Sequence, residues 1–421
     1  MPHPVRLSRR RFLDALSAAA AAPLLARCAR VTTPPPPLGS GAQRLRTSVT
    51  RTPDGTITRL FTGRSAPDNV LVPDPTSAGE IALYDLFPND RCPFAIDQAR
   101  ELGPGGYALE TPDRTLMGIL PVEGDEPWAL NMIPCGVAAD GVILDPSGPW
   151  YDGGPADPHN PFDRACSGWE YDPLFPSVGD LLGVPADVRG HVQPAPGGRP
   201  GSEGQFHYHG TPRVLVANLR AAQTAEERSR ALVTGYSADG YWILDAIVPR
   251  AASRSGRRLH LVSGYVLREG PRARVPHTHP DFVPPDRHDG TFVQDWIFDP
   301  DRKRALVAAA LRNTGEYEGL QAADVDAGLA EVVVLDALNG LRTRALALPS
   351  EVPEDSYAYA MTPDWPEIPR WLAYQPSPSF RTNLIPFSSP DGRGPPGRDQ
   401  LYAACEADAG DVHVRAGRDP Y

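Results

Sequence analysis

Lysine is almost absent from this chain. Of its 41 basic residues only Lys303 is a lysine, and the formal net charge of the 421 residues is -11. Proteins that bind nucleic acid or anionic membranes present clustered positive charge, because the phosphates of the partner dominate the attraction. The composition therefore argues against nucleic acid and anionic membrane as partners.

Long apolar runs are also lacking. The main apolar stretch covers residues 15–25 and is interrupted by Ser17 and Pro23, whereas a membrane-spanning helix needs about 20 apolar residues. We therefore expect no transmembrane segment in the mature chain. The stretch follows the string Ser-Arg-Arg-Arg-Phe-Leu at 8–13, which is typical of a twin-arginine signal. This predicts a signal peptide over residues 1–30, the twin-arginine translocase as a partner during export, and a periplasmic or extracellular location.

The residues after the predicted signal indicate a tether. Four consecutive prolines lie within residues 31–45, and such a segment forms an extended linker. Cys28 resembles the cysteine of a lipoprotein box, but Arg27 stands where a small residue is expected, so lipid anchoring and plain cleavage are both open. The exported environment permits disulfides, and their pairing is open among the four later cysteines: Cys92, Cys135, Cys166 and Cys405.

Familiar catalytic motifs are missing. The chain has no Gly-x-Ser-x-Gly, no His-Glu-x-x-His and no phosphate loop, which are strings that position a nucleophile, a zinc ion or a phosphate. Multicopper oxidases need several His-x-His pairs and a Cys-His run, and the latter is also absent. Whether the chain is an enzyme is therefore open.

The composition favours a mainly β fold with a few short helices, since 49 prolines and 39 glycines suit a turn-rich chain. Three strings occur twice in the same order, and one pair contains an Asp-Gly typical of a hairpin turn. We predict two pseudo-repeated β units, at 105–222 and 225–372, followed by an irregular segment at 373–421. The paired strings are Gly136–Asp145 with Gly235–Asp245, Trp169–Pro173 with Trp296–Pro300, and Phe206–Pro212 with Tyr357–Pro363.

Local patterns predict individual elements. Thr224-x-x-Glu227 is a capping box ahead of a helix that would run to Val233, and a second helix is predicted over 302–311. The alternation of apolar residues predicts strands at 214–217, 259–265, 290–298 and 331–335.

The histidines carry the strongest chemical signal. In the string Phe206-His207-Tyr208-His209 a strand would place both histidines on one face and both aromatic rings on the other. His191 precedes the string by a loop rich in glycine and proline, so a hairpin would bring it beside the pair. Three imidazoles predict a site for a transition metal ion such as Zn, Cu, Ni, Mn or Fe. The alternative is a pair of hydrogen-bonded histidines without a ligand.

A second histidine cluster contains His277, His279 and His288. Its proline-rich surroundings leave three interpretations open: an independent site, a lid over the first site, or a solvated loop.

Three aspartates could support the predicted metal site. Asp239, Asp289 and Asp295 are candidate acceptors for the ring N–H of a metal-binding histidine. They could equally form turns and cap strand ends.

These strings resemble the YHYH family of secreted bacterial proteins, whose core is Tyr-His-Tyr-His. The resemblance covers roughly 136–370 and implies the fold unit and the motif residues, but no particular reaction. Leu338 stands where the family usually has cysteine and Ala358 where it usually has histidine, which puts a disulfide and a histidine function in the second half in doubt. Besides the core, the matching strings are Gly190-His191, Gly235–Gly240, His288–Trp296, Leu335–Gly340, Tyr357–Tyr359 and Trp365–Arg370.

Two functions follow from the sequence. The first is an exported metal-binding protein, with His191, His207 and His209 as ligands and the ion acting as Lewis acid or redox centre if the protein is catalytic. The second is a non-catalytic protein that binds a small molecule or acts at a surface, through a groove lined by the histidine strand and aromatic residues. The aromatic residues of that groove would be Tyr208, Tyr236, Tyr241 and Trp242.

Overall fold

A computed structural model of the chain describes residues 45–64, 106–125, 127–129, 134–148, 170–176, 190–193, 205–251, 256–272 and 287–383. The predicted β class is confirmed, since these residues form twenty strands and five short helices. The strands are β1 (Arg46–Arg51), β2 (Ile57–Arg64), β3 (Gly106–Pro112), β4 (Trp128–Ala129), β5 (Gly136–Ala138), β6 (Ile143–Leu144), β7 (Gly190–Gln193), β8 (Gln205–Tyr208), β9 (Val233–Ser237), β10 (Trp242–Asp245), β11 (Ile247–Pro249), β12 (Arg258–Val262), β13 (Tyr265–Leu267), β14 (Trp296–Phe298), β15 (Glu316–Tyr317), β16 (Leu320–Gln321), β17 (Ala330–Val334), β18 (Gly340–Arg342), β19 (Tyr357–Met361) and β20 (Trp371–Leu372). The helices are α1 (Arg114–Met117), α2 (Arg213–Ala222), α3 (Pro300–Thr314), α4 (Ala322–Asp326) and α5 (Pro378–Asn383).

An eight-stranded sheet forms the centre of the fold, in the order β18-β19-β10-β9-β5-β6-β8-β7. Its two halves have the same topology. In one half, β8 lies beside the hairpin β5-β6 and parallel to β6, and β7 lies at the outer edge, antiparallel to β8. In the other half, β19 lies beside the hairpin β9-β10 and parallel to β10, and β18 lies at the outer edge, antiparallel to β19. The halves meet where β5 and β9 pair antiparallel.

One row of register partners crosses all eight strands. Cross-strand partners lie on the same face of a sheet, so this row defines a face on which distant parts of the chain meet. In order across the sheet the row is His191, His207, Ile143, Val137, Tyr236, Trp242, Ala358 and Leu341.

Both Asp-Gly pairs form hairpin turns, as predicted. Gly141 and Gly240 have φ values of 92° and 96°, a conformation that glycine adopts without steric cost. Asp140 accepts a hydrogen bond from the Tyr208 hydroxyl at 2.8 Å, and Asp239 accepts one from the Tyr359 hydroxyl at 2.9 Å. The turns therefore match in position and in partners, while the origin of the halves by duplication stays an interpretation.

Two apolar clusters pack on opposite faces of β19, because consecutive strand residues alternate. Ala358 and Ala360 pack with Leu259 and Leu261 of β12, which belongs to the three-stranded sheet β11-β12-β17. Tyr357 and Tyr359 belong to the other cluster, with Tyr241, Leu215 and Phe380.

Several predicted elements are confirmed. The helix predicted over 302–311 is α3, where Asp299 accepts a hydrogen bond from the backbone of Arg302 at 2.9 Å and Pro300 is the first residue. This is the usual start of a helix. The strand predicted at 331–335 is β17, and most of 259–265 lies in β12 and β13. Of 290–298 only the last three residues form a strand.

Two local predictions are wrong. Residues 214–217 lie in α2 and not in a strand, because a short apolar run does not distinguish a strand from a buried helix segment. The capping box at Thr224 and Glu227 does form, with both reciprocal hydrogen bonds present. Only one 3-10 turn follows it, since β9 begins at Val233.

Some predictions fall outside the described residues. They include the signal peptide, nearly all of the linker, and Cys92, Cys166 and Cys405, whereas Cys135 is a free and buried thiol. The segment 373–421, predicted to be irregular, contains α5 in its described part. Among the described residues no helix is long and apolar enough to cross a bilayer.

We predict that the one lysine is required for stability. The ammonium of Lys303 lies 2.5 Å from Asp364, both side chains are mostly buried, and it donates to the carbonyl of Tyr265 at 3.1 Å. Lys303→Met should lower the free energy of unfolding by about 3–5 kcal/mol, because it leaves a buried carboxylate without its counterion. Urea denaturation measures this.

Arg304→Met on the same helix is the control. Its ion pair with Asp301 is exposed, and such pairs contribute at most about 1 kcal/mol. Equal losses of unfolding free energy in the two variants would contradict the larger contribution that we assign to the buried pair of Lys303 and Asp364.

Candidate functional site

His207 and His209 form a buried pair on one face of the central sheet. His207 lies in β8 and His209 directly follows it; their exposed fractions are 5% and 2%. The Nε2 atoms are 3.2 Å apart and the rings are nearly perpendicular, at 83°. Tyr208 between them reaches Asp140. The alternation predicted from the sequence is therefore present.

The ring of His209 is oriented by the main chain. Its Nδ1 lies 2.8 Å from the carbonyl oxygen of Asp145. A carbonyl only accepts hydrogen bonds, so Nδ1 carries the proton, and in the neutral form of the ring Nε2 presents a lone pair toward His207. Two states fit this arrangement: His207 donates to His209 through Nε2, or both Nε2 lone pairs face one shared cation.

His191 lies opposite His207. The strands β7 and β8 are antiparallel, with His191 paired to His207 and Val192 to Phe206. The predicted hairpin is thus present, and the register places residue 191 on the face of the histidine pair. The side chain of His191 lies outside the part of the chain that the structure describes. Within the described part, no three His, Cys, Asp or Glu side chains are grouped to hold a metal ion.

A buried ion pair holds the segment that orients His209. Arg370 donates to the carbonyl of Pro146 at 2.6 Å and to Glu170 at 2.6 Å, and Glu170 accepts from the backbone of Gly148 at 2.8 Å. Burial raises the pKa of Glu170, while Arg370 and the Gly148 N–H oppose that shift. The segment that directly follows the carbonyl that meets His209 is therefore fixed at Pro146 and at Gly148.

Glu367 fixes the chain on the other side of the pair. Its carboxylate accepts from the backbone of Thr211 at 3.0 Å, and the residue is buried with φ of 58°. A Cβ at Gly210 would lie 2.6 Å from the same carboxylate oxygen. A side chain at Gly210 would therefore require the carboxylate of Glu367 to shift away from its place.

Four of these residues were not predicted from the sequence. They all lie inside strings that attracted attention for other reasons, as members of a repeat or of the family resemblance, so a signal was present. Nothing in the sequence placed them beside the histidines. They are Asp145, Glu170, Glu367 and Arg370.

The predicted acceptors have other partners. At His209 the acceptor is a backbone carbonyl, that of Asp145, and not one of the three candidate aspartates. Asp239 accepts from Ser237, from Tyr359 at 2.9 Å and from the backbone of Tyr374 at 3.1 Å. Asp239 therefore ties its hairpin turn to β19 and to the segment at Tyr374.

The second histidine cluster is only partly described. Asp295 is fully buried and accepts two hydrogen bonds from Arg272, at 2.8 and 2.5 Å. Nδ1 of His288 lies 3.0 Å from Asp295, and Asp289 lies 3.3 Å from Arg272. His277 and His279 fall outside the described residues. The described part is therefore an ion-paired turn.

The aromatic groove expected from the sequence does not form with all four of its residues. Tyr208 and Tyr241 are buried in the core, with exposed fractions of 3% and 0%. Tyr236 and Trp242 lie elsewhere, against Arg59. Aromatic residues that are close in sequence are separated because the strand alternation sends them to opposite faces.

A family model described as YHYH protein matches residues 117–373. That range contains every described residue of the site. No curated protein and no solved structure matches the chain.

We predict that removal of Arg370 makes stability depend on pH. Arg370→Met leaves Glu170 buried without its counterion, which should cost about 3 kcal/mol near neutral pH. Without the guanidinium the pKa of Glu170 rises further, above about 4.3 for an unfolded glutamate. The folded variant then binds more protons than the unfolded one, so its deficit relative to the native protein should shrink as pH falls toward 4.3.

Urea denaturation of both proteins between pH 5 and pH 8 measures this. The double variant Arg370→Met, Glu170→Gln is the control and should show a deficit that does not change with pH. A deficit of equal size at pH 5 and pH 8 in the single variant would contradict the assignment to Glu170.

Proposed function

The chain belongs to the YHYH family, and we propose that it is an exported protein that binds one transition metal ion through His207, His209 and His191. The observation that carries the proposal is the 3.2 Å separation of two buried Nε2 atoms. If it is exported through its predicted twin-arginine signal, it would cross the membrane folded, with the ion already bound.

The separation suits two ligands of one ion. Nitrogens that each lie about 2.0–2.1 Å from a tetrahedral zinc ion are about 3.4 Å apart. The Asp145 carbonyl holds the proton of His209 on Nδ1, which leaves Nε2 available for the ion, and an acceptor of this kind commonly orients a metal-binding histidine. The competing state is a hydrogen bond between the rings, and metal content separates the two.

The register supports His191 as the third ligand. It is the direct partner of His207, and three histidines with an open fourth position are typical of catalytic sites. A bound ion would supply Lewis-acid or redox chemistry. The chain would supply the ligands and, through Arg370 and Asp145, their orientation.

The other half of the sheet supplies a comparison. Trp242 pairs with Ala358 as Ile143 pairs with His207, and Ala358 and Ala360 are fully buried. The same strand arrangement therefore forms with alanines at these positions. This supports a chemical role for His207 and His209 over a role in packing.

We predict that His207→Ala and His209→Ala each abolish stoichiometric metal binding. Elemental analysis of protein purified from its native export route should give one equivalent in the native protein, identify it as Zn, Cu, Mn or Fe, and give none in the double variant. Circular dichroism should show an unchanged fold. His260→Ala on β12, a histidine of a different sheet, is the control and should keep the metal.

Retention of the metal by the double variant, or a native protein without metal, would disprove the proposal. His191→Ala tests the third ligand separately. It should weaken binding in a competition with a chelator, and an unchanged affinity would mean that a different group completes the site.

A further inference from the structure

We propose that a pocket between the ribbon β1-β2 and the hairpin β9-β10 binds a zwitterionic small molecule with an apolar body, such as a short peptide with free termini. The pocket has a volume of about 630 Å³, which is within the range of small-molecule sites, about 300–1,000 Å³. None of the histidines of the proposed metal site lines it. The pocket is therefore separate from the proposed metal site.

Arg59 lines the pocket and forms a buried ion pair behind it. Arg59 donates to Asp113 at 2.6 Å, and the exposed fractions of their side chains are 8% and 1%. Asp113 also accepts from the indole of Trp242 at 3.3 Å and from the backbone of Leu116 at 2.9 Å. Because Asp113 balances the charge of Arg59, this arginine adds no net charge to the pocket.

Aromatic rings form one wall. The guanidinium carbon of Arg59 lies 4.8 Å from the ring centre of Tyr236 and 5.6 Å from that of Trp242. Stacking on a guanidinium fixes such rings in place. Val49 of β1, with an exposed fraction of 39%, lines the pocket from the opposite ribbon. This interior favours an apolar or aromatic ligand body.

The rim carries one charge of each sign. Arg51 and Glu351 both line the pocket and are exposed, yet among the described residues neither forms an ion pair. Their charged atoms are therefore more than 4 Å apart. A ligand with a carboxylate and an ammonium can pair with both residues, whereas a ligand with a single charge pairs with one and leaves the other unmatched. Arg51 would bind the carboxylate, because a planar guanidinium can donate two parallel hydrogen bonds to it.

Three probes test the charge pattern: the dipeptide of two phenylalanines, its N-acetylated form and its C-terminal amide. Isothermal titration calorimetry on the His207→Ala protein keeps the test separate from the metal. The free dipeptide should bind one-to-one, and loss of either terminal charge should weaken binding about three- to fivefold, as for exposed ion pairs. Glu351→Gln should remove the effect of acetylation alone, and Arg51→Gln the effect of amidation alone.

Two further variants locate the binding. Val49→Trp fills the pocket from an exposed strand position and should abolish binding of all three probes. Arg46→Gln, on the same strand but outside the pocket, should change nothing. No binding of the dipeptide at millimolar concentration, equal affinity for the three probes, or binding that survives Val49→Trp would each overturn the proposal.

Discussion

The central sheet depends on the close pairing of β5 with β9. A Cβ at Gly136 would lie 2.3 Å from the carbonyl oxygen of Tyr236, and one at Gly235 would lie 2.7 Å from that of Val137. A Cβ atom does not come this near to a backbone oxygen, so both strands need glycine where they pair. Reciprocal bonds complete the junction, from Ala139 to Thr234 at 2.9 Å and from Ala238 to Cys135 at 2.7 Å. Each half of the sheet extends outward from this contact.

The tyrosine and the two histidines of the string His207-Tyr208-His209 have separate roles. Tyr208 and Tyr359 both reach the aspartate of a hairpin turn in their own half, so the tyrosine is a structural element that the two halves share. The flanking residues lie on the other face and differ, being histidines in one half and alanines in the other. The tyrosine thus ties the strand to its hairpin, and the flanking positions are free to vary in chemistry.

The features predicted correctly are those that local rules of strand and turn geometry determine. The Asp-Gly turns, the common face of His207 and His209, and the hairpin that brings residue 191 opposite 207 all follow from strand alternation and turn chemistry. The surroundings of the pair could not be predicted in this way. Arg370 meets Pro146 and Glu170 across 224 and 200 residues of chain, and no periodicity or spacing records such a contact. The strand predicted at 214–217 was wrong for a related reason, since only tertiary packing decides that this apolar segment is helical.

The row of register partners that contains His207 also contains Tyr236 and Trp242, so the histidine pair and two residues that line the pocket beside Arg59 lie on one face of one sheet. Each is bordered by a buried arginine and carboxylate 2.6 Å apart: Arg370 with Glu170, and Arg59 with Asp113. A buried pair of this kind adds little net stability, because desolvation offsets the attraction. It does fix the groups it bonds to without adding net charge. In the first half those groups are the backbone beside His209, and in the second they are the indole and the start of α1. The same arrangement therefore fixes the surroundings of two different sites, and the side chains on the strands differ between them: histidines in the first half, and a tyrosine and a tryptophan beside Arg59 in the second.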